Sequence, residues 1–243
     1  MTGRPHLAGQ TVVLIGGSVG VGLETARLAR AEGADVVLTG RDPGRLERAA
    51  ADVGARQTAA FDATDPAAVA SFFQDLAGTI DHVLITAGGP HYKPLLEMDA
   101  DEVRDAVADH IVVALEIARN AVGKMPPGGS LLLMGGTGGR RIRRGLGTLS
   151  TATAALPAFT ATLALEVAPI RVNLIAAGFV DTPLSASLLG EQLGARRAEL
   201  RATLPIGRVV TPADVAALAV HLMVNTALTG STYDIDGGQQ FVS

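Results

Sequence analysis

The chain has 243 residues, 48% of them hydrophobic and 18% charged, which is enough apolar material for one sizeable core and argues against a disordered chain. A formal charge of −4 offers little to a nucleic-acid backbone, and the lack of cysteine excludes disulfides and thiolate metal sites. The segment Met1-Thr2-Gly3-Arg4-Pro5 lacks the apolar core of a signal peptide, and no unbroken apolar run approaches the ~18 residues of a membrane span. A soluble cytoplasmic protein with no metal site and no nucleic-acid or membrane partner is the expectation.

In chain order, Thr11-Val12-Val13-Leu14-Ile15 reads as a buried strand, and Gly16, Gly20 and Gly22 turn it into the helical pattern Leu23 to Arg30. Strand, glycine turn and helix N-terminus form a phosphate cradle, because glycines admit a pyrophosphate to the backbone and free N–H groups face the anion. Further strands are predicted at Asp35–Thr39, Arg56–Phe61, Ile80–Thr86, Gly129–Met134, Arg171–Ala176 and Ser231–Ile235. Helical patterns alternate with them at Gly22–Glu32, Pro43–Val53, Ala67–Leu76, Asp101–Val122, Thr151–Glu166 and Pro212–Leu222, the last opened by the cap pair Thr211-Pro212.

The strands are apolar on both faces, as when helices cover both sides of a parallel sheet. The prediction is a single α/β domain over residues 1–243, a Rossmann-like doubly wound parallel sheet of about seven strands in three α/β/α layers. Its ligand crevice lies at the C-terminal ends of the strands. The least regular segment, 181–206, is expected to be a mobile substrate lid. The helices Asp101–Val122 and Thr151–Glu166 are apolar around most of their circumference, which predicts a homo-oligomer.

Several polar residues stand near the crevice. His110, on an otherwise apolar helix, is either a buried hydrogen-bonding residue or a proton donor. His91-Tyr92-Lys93 follows the fourth strand and is either a solvated loop tip or the source of a phenol, Tyr92. Arg140-Arg141-Ile142-Arg143-Arg144 is either a solvated basic loop, a subunit contact, or a site for the anionic part of a small-molecule substrate. Ser150 and Thr151 could meet a ligand or cap a helix.

Five motifs then stand in register: Gly16-x-x-x-Gly20-x-Gly22; Phe61-Asp62-Ala63-Thr64-Asp65; Thr86-Ala87-Gly88; Ile170-Arg171-Val172-Asn173 with Gly178-Phe179-Val180-Asp181-Thr182; and Asp234-Ile235-Asp236-Gly237-Gly238. In this order they resemble the short-chain dehydrogenase/reductase family over nearly the whole chain. The resemblance implies a nicotinamide cofactor touching Gly16, Ser18, Val19, Gly20, Val21, Gly22, Asp62, Ala63, Ala87, Gly88, Gly178, Val180 and Thr182, and a tetrameric or dimeric assembly. Where NAD-selective relatives carry an acid at the end of the second strand this chain has Gly40, followed by Arg41, which favours NADP(H).

The family's catalytic residues are not retained. Its Tyr and Lys fall on Leu149 and Thr153, its Ser on Gly136 and its Asn on His110. Pro157 lies four residues after Thr153 and is expected to kink the helix or delay its start. Three functions follow: an NADP(H)-dependent oxidoreductase taking its proton from His110, Tyr92 or water; a non-redox dehydratase, isomerase or cyclase; and a non-catalytic NADP(H)-binding or sensor protein.

Overall fold

The computed structural model describes residues 6–90, 92–140 and 142–242. Seven strands, β1 (Thr11–Ile15), β2 (Asp35–Gly40), β3 (Gln57–Ala60), β4 (His82–Ile85), β5 (Ser130–Gly136), β6 (Arg171–Ala177) and β7 (Thr232–Ile235), form one sheet in the order β3-β2-β1-β4-β5-β6-β7. Every pairing is parallel. The chain reverses direction across the sheet between β1 and β4, and there the ends of the strands part into a crevice.

Alternation along β1 divides the core in two. Val13 and Ile15 enter a layer with α3 (Pro66–Asp75), α4 (Ala100–Ala121) and α5 (Gly147–Glu166). Val12 and Leu14 enter the other, with α1 (Gly20–Ala31), α2 (Pro43–Val53) and α8 (Pro212–Val224). Helix starts follow a repeated local rule, an oxygen-bearing cap residue followed by proline. Asp42 accepts from Arg45 N–H before Pro43, Asp65 from Ala67 and Ala68 before Pro66, and Thr211 from Asp214 before Pro212. Arg171, buried at the start of β6, donates to the carbonyls of Gly128, Leu222, Met223, Asn225 and Leu228, and so fastens the C-terminal end of α8 to the sheet.

Two local expectations are corrected. The helix expected to start at Thr151, with a kink or late start near Thr153, begins at Gly147 and continues through Pro157 to Glu166. Proline removes one backbone bond, while side chains reinforce the early turns: Thr151 Oγ1 donates to Gly147 O at 2.9 Å and Thr153 Oγ1 to Leu149 O at 2.8 Å. Glu166 is its only charged residue and its best 18-residue window has a mean hydropathy of 1.3; the helix packs on α4 and β6 as a core element. The segment 181–206 is not irregular either. It holds α6 (Pro183–Leu189) and α7 (Leu193–Thr203), the first opened by a reciprocal cap between Thr182 and Ser185. The edge strand β3 and the central β4 are each shorter than expected.

Candidate functional site

The glycine turn is built for close approach. Gly16 has φ +95°, and a Cβ there would lie 2.5 Å from Thr86 Oγ1. A Cβ on Gly22 would overlap the carbonyl oxygen of Gly16. The turn therefore folds onto itself without side chains and exposes the start of α1. Val19, the cap residue of that helix, is extended and supplies no side-chain acceptor, and the first turn holds no acid. Its leading N–H groups are free of side-chain caps, at the positive end of the helix dipole, with Ser18, Gly20 and Val21 around them. A pyrophosphate fits this cradle.

Thr86 gives the turn its second wall. Its hydroxyl lies 3.1 Å from both the Ile15 and Gly16 carbonyls and ties the end of β4 to the turn. Thr86 thus has a hydrogen-bonding role of its own at the turn. Beyond it, Gly88 passes so close to α4 that a Cβ would meet Asp109 O at 2.8 Å.

At the other end of the turn, Gly40 lies beside Ser18, whose Oγ would be 2.9 Å from a Cβ placed on Gly40. Arg41 is exposed and faces the charge of Asp62. The Asp62 carboxylate accepts from Thr64 N–H at 3.0 Å and Thr64 Oγ1 at 2.9 Å, and that bonding holds it below the usual carboxylate range. Ala63 follows, packed against the core. A ribose with a 2′-phosphate would find no carboxylate at Gly40 and a guanidinium at Arg41.

The C-terminal ends of β4, β5 and β6 open into a cleft of about 650 Å³. Ala87, Gly88, Gly136, Leu149, Thr153, Gly178 and both catalytic candidates, His110 and Tyr92, line it. Gly136, Leu149 and Thr153, which the sequence resemblance sets against the family's Ser, Tyr and Lys, all line this cleft, carrying hydrogen, an isobutyl group and a hydroxyl. Thr153 Oγ1 is occupied within its own helix, bonding Leu149 O and Ser150 O. Gly136 is not forced by crowding: a Cβ there would meet Ala177 O at 3.4 Å and Thr153 Cγ2 at 3.5 Å, ordinary contacts.

His110 Nδ1 sits 3.2 Å from Ala106 O. A carbonyl only accepts, so Nδ1 carries hydrogen and Nε2 of the neutral ring is an acceptor. The ring can take a proton as it stands, and gives one only after protonation. Tyr92 is about half exposed and burial pushes its phenol up, so it remains a neutral hydroxyl at pH 7. Its neighbour Lys93 is engaged elsewhere, with Nζ 2.7 Å from each Glu102 oxygen. The two do not form a phenol–ammonium pair of the family's kind.

The basic segment divides. Arg140 makes a bidentate pair with Asp234 and also bonds Gln240, binding the segment to the end of β7. Arg143 lines the cleft, and Arg144 is exposed and not among the lining residues. Arg141 and His91 lie outside the described residues. Ser150 neither caps its helix nor faces solvent: it is buried and donates to Gly138 O at 3.1 Å. The segment 181–206, expected from the sequence as a lid, contributes lining residues that the sequence alone does not single out. Leu184, Ser185, Leu188, Leu189 and Arg196 line the cleft, and Arg197 holds α7 to Asp181 at 2.7 Å. The bridge between Val180 and Val210 sets the base of this cover, and Thr182 starts its first helix.

Comparison with known proteins agrees with this geometry. The family model for enoyl-(acyl carrier protein) reductase matches residues 16–240. A Mycobacterium tuberculosis protein described as an uncharacterized oxidoreductase is 32% identical, covering 97% of this chain and 94% of its own. A solved short-chain dehydrogenase/reductase family protein superposes with a TM-score of 0.86 at 31% identity, covering 98% of this chain and all of the other. The structure of BdcA in complex with NADPH superposes with a TM-score of 0.85 at 27% identity, covering 96% and 95% of the two chains. With its seven-stranded parallel sheet, glycine turn and sheet-edge cleft, the chain belongs to the short-chain dehydrogenase/reductase family.

Proposed function

We propose that the protein is an NADP(H)-dependent oxidoreductase whose proton source differs from that of its family. The observation carrying the cofactor choice is the glycine at Gly40 with Arg41 beside it and no acid at the strand end. Support comes from the side-chain-free cradle at Gly16–Gly22 and from relatives solved with NADPH. Pyrophosphate would lie over the start of α1, the adenine end near Asp62 and Ala63, and the nicotinamide end between Ala87, Gly178 and Thr182. The bound cofactor supplies the hydride; the chain binds and orients it and excludes water. His110, Tyr92 and water are the groups left to handle a proton. The helices of 181–206 serve as the substrate lid.

One observation favours a second reading, a non-catalytic NADP(H)-binding protein: Gly136 and Leu149 bring no proton-transferring group to the cleft, and the Thr153 hydroxyl is bonded within its helix. Titration with NADPH and NADH, followed by a carbonyl panel, separates the two. NADPH oxidation by any substrate supports the enzyme; tight NADPH binding without oxidation supports the second reading. In the same titration Arg41→Ala should weaken NADPH by about 10- to 100-fold, the scale of a charge-assisted hydrogen bond, and leave NADH nearly unchanged. Equal losses for both cofactors would overturn the NADP(H) assignment.

A further inference from the structure

The cleft carries a charge pattern opposite to that of the whole chain. The formal charge of the protein is −4, yet among the described residues lining the cleft there is no aspartate or glutamate, and there are two arginines. Arg143 comes from the loop between β5 and α5, and Arg196 from α7. Other arginines around this region are neutralised: Arg140 by Asp234, Arg197 by Asp181, Arg208 by Asp214. Arg143 makes no ion pair among the described residues. Arg196 pairs with Glu199, one turn along its own helix, through Nη1 at 2.8 Å. Glu199 is exposed, which weakens the pair, and the guanidinium has further N–H donors to offer. The rest of the wall is largely apolar, with Met134, Leu146, Leu149, Phe179, Leu184 and Leu188.

We propose that this cleft takes a molecule with an apolar body and one terminal oxyanion, a carboxylate or a phosphate. Arg143 and Arg196 hold the anionic end, and the leucines and Phe179 cover the body. Arg143 is exposed at the cleft and Arg196 is partly buried in it; both flank apolar side chains in a lining with no acid among the described residues, which disfavours a cationic ligand and leaves the guanidiniums to an incoming anion. The cleft volume suits a small ligand beside a nicotinamide ring. The proposal names the substrate class of the site described above and rests on that reading only for the presence of NADP(H) alongside.

The test is calorimetric titration of the full chain, with and without saturating NADPH, using octanoate, octyl phosphate, octanol and octyltrimethylammonium as probes. Both anions should bind at least about tenfold more tightly than octanol or the ammonium, and added salt should weaken them. The stronger of the two anions identifies the oxyacid. Arg143→Ala and Arg196→Ala should each weaken the anions by about tenfold and leave octanol unchanged, while Arg144→Ala, outside the lining, should change nothing. Equal binding of anion and alcohol, or no loss in either lining variant, overturns the proposal. A loss of NADPH affinity in those variants with anion binding intact assigns the arginines to the cofactor and also overturns it. Arginine-dependent octanoate binding in a protein that fails to bind NADPH would sustain the anion site and refute the cofactor reading alone.

Discussion

Acid should destabilise this protein through one buried imidazole before its carboxylates titrate. His82, on the central strand β4, is almost fully buried, with Nε2 2.6 Å from Gln10 Oε1 and Nδ1 2.8 Å from Ser130 Oγ. The amide oxygen accepts, so Nε2 carries hydrogen and Nδ1 receives the Ser130 hydroxyl; the neutral ring is fully bonded. Burial, with Arg171 adding to it, pushes its pKa from 6.5 down to about 3. Because the folded state keeps the ring neutral, the unfolded chain binds the extra proton between pH 6.5 and 3. Stability is therefore complete above pH 6.5 and falls as pH drops, by ~1.4 kcal/mol per unit, or ~2 kcal/mol at pH 5. Urea denaturation at pH 7, 6 and 5, at fixed protein concentration, measures this. His82→Gln should cost stability at pH 7 but show a shallower decline, its difference from the wild type shrinking by ~2 kcal/mol at pH 5. The same decline in both proteins would refute the argument.

Arg171→Met removes the donors from the five carbonyls it serves and should destabilise the fold by ~3–5 kcal/mol, visible as a lower urea midpoint with NADPH contacts untouched. The triple change Gly136→Ser, Leu149→Tyr and Thr153→Lys places the family's groups at positions that already converge on the cleft. It should raise NADPH-dependent reduction of simple carbonyls by ~100-fold or more over wild type, and no gain in a folded, NADPH-binding triple variant would argue against the proposed cofactor placement. A homo-oligomer is expected from the apolar exposure of α4 and α5, with Leu165 82% and Val112 44% exposed, and light scattering at micromolar concentration should give a dimer or tetramer mass.

The parts of this fold legible in the sequence are those fixed by short-range rules. A β-branched run followed by spaced glycines specifies strand, turn and helix because only glycine tolerates the φ of Gly16 and the crowding at Gly22. Cap-then-proline pairs at Asp42, Asp65 and Thr211 mark helix starts without reference to the rest of the chain. What escaped depends on partners distant in sequence or on sums of small terms. Arg140 reads in the sequence as one of four equivalent cations, and Asp234 on β7 takes its charge. The segment 181–206 is poor in long apolar runs, so its helices draw on a cap between Thr182 and Ser185 and an ion pair to Asp181. Pro157 carries a local cost, and the helix nevertheless runs unbroken for twenty residues through it.

The contrast between the two halves of the site bears on the chemistry under the proposed function. The cradle has a side-chain-free turn at Gly16 and Gly22, an uncapped helix start, and Thr86 tying β4 to the turn. At the positions that the sequence resemblance sets against the family's Ser, Tyr and Lys, Gly136, Leu149 and Thr153 bring no titratable group, although Gly136 has room for a side chain. Crowding therefore does not explain the missing hydroxyl. Of the groups that remain, Tyr92 is pushed up by burial and has its neighbouring ammonium drawn off to Glu102, so it can donate weakly but not cycle as a phenolate. His110 bonds Ala106 O through Nδ1, which leaves Nε2 as the ring nitrogen able to exchange a proton. Under the proposed function, a base that removes the hydroxyl proton as hydride leaves for the cofactor is, once protonated, the acid that returns it in reduction, so one group at His110 would serve both directions. His110→Asn restores the family residue and removes the base. Loss of both alcohol oxidation and carbonyl reduction by ~100-fold, with NADP(H) binding preserved, is the expected result, and unchanged turnover with an unchanged pH profile would show that His110 is structural.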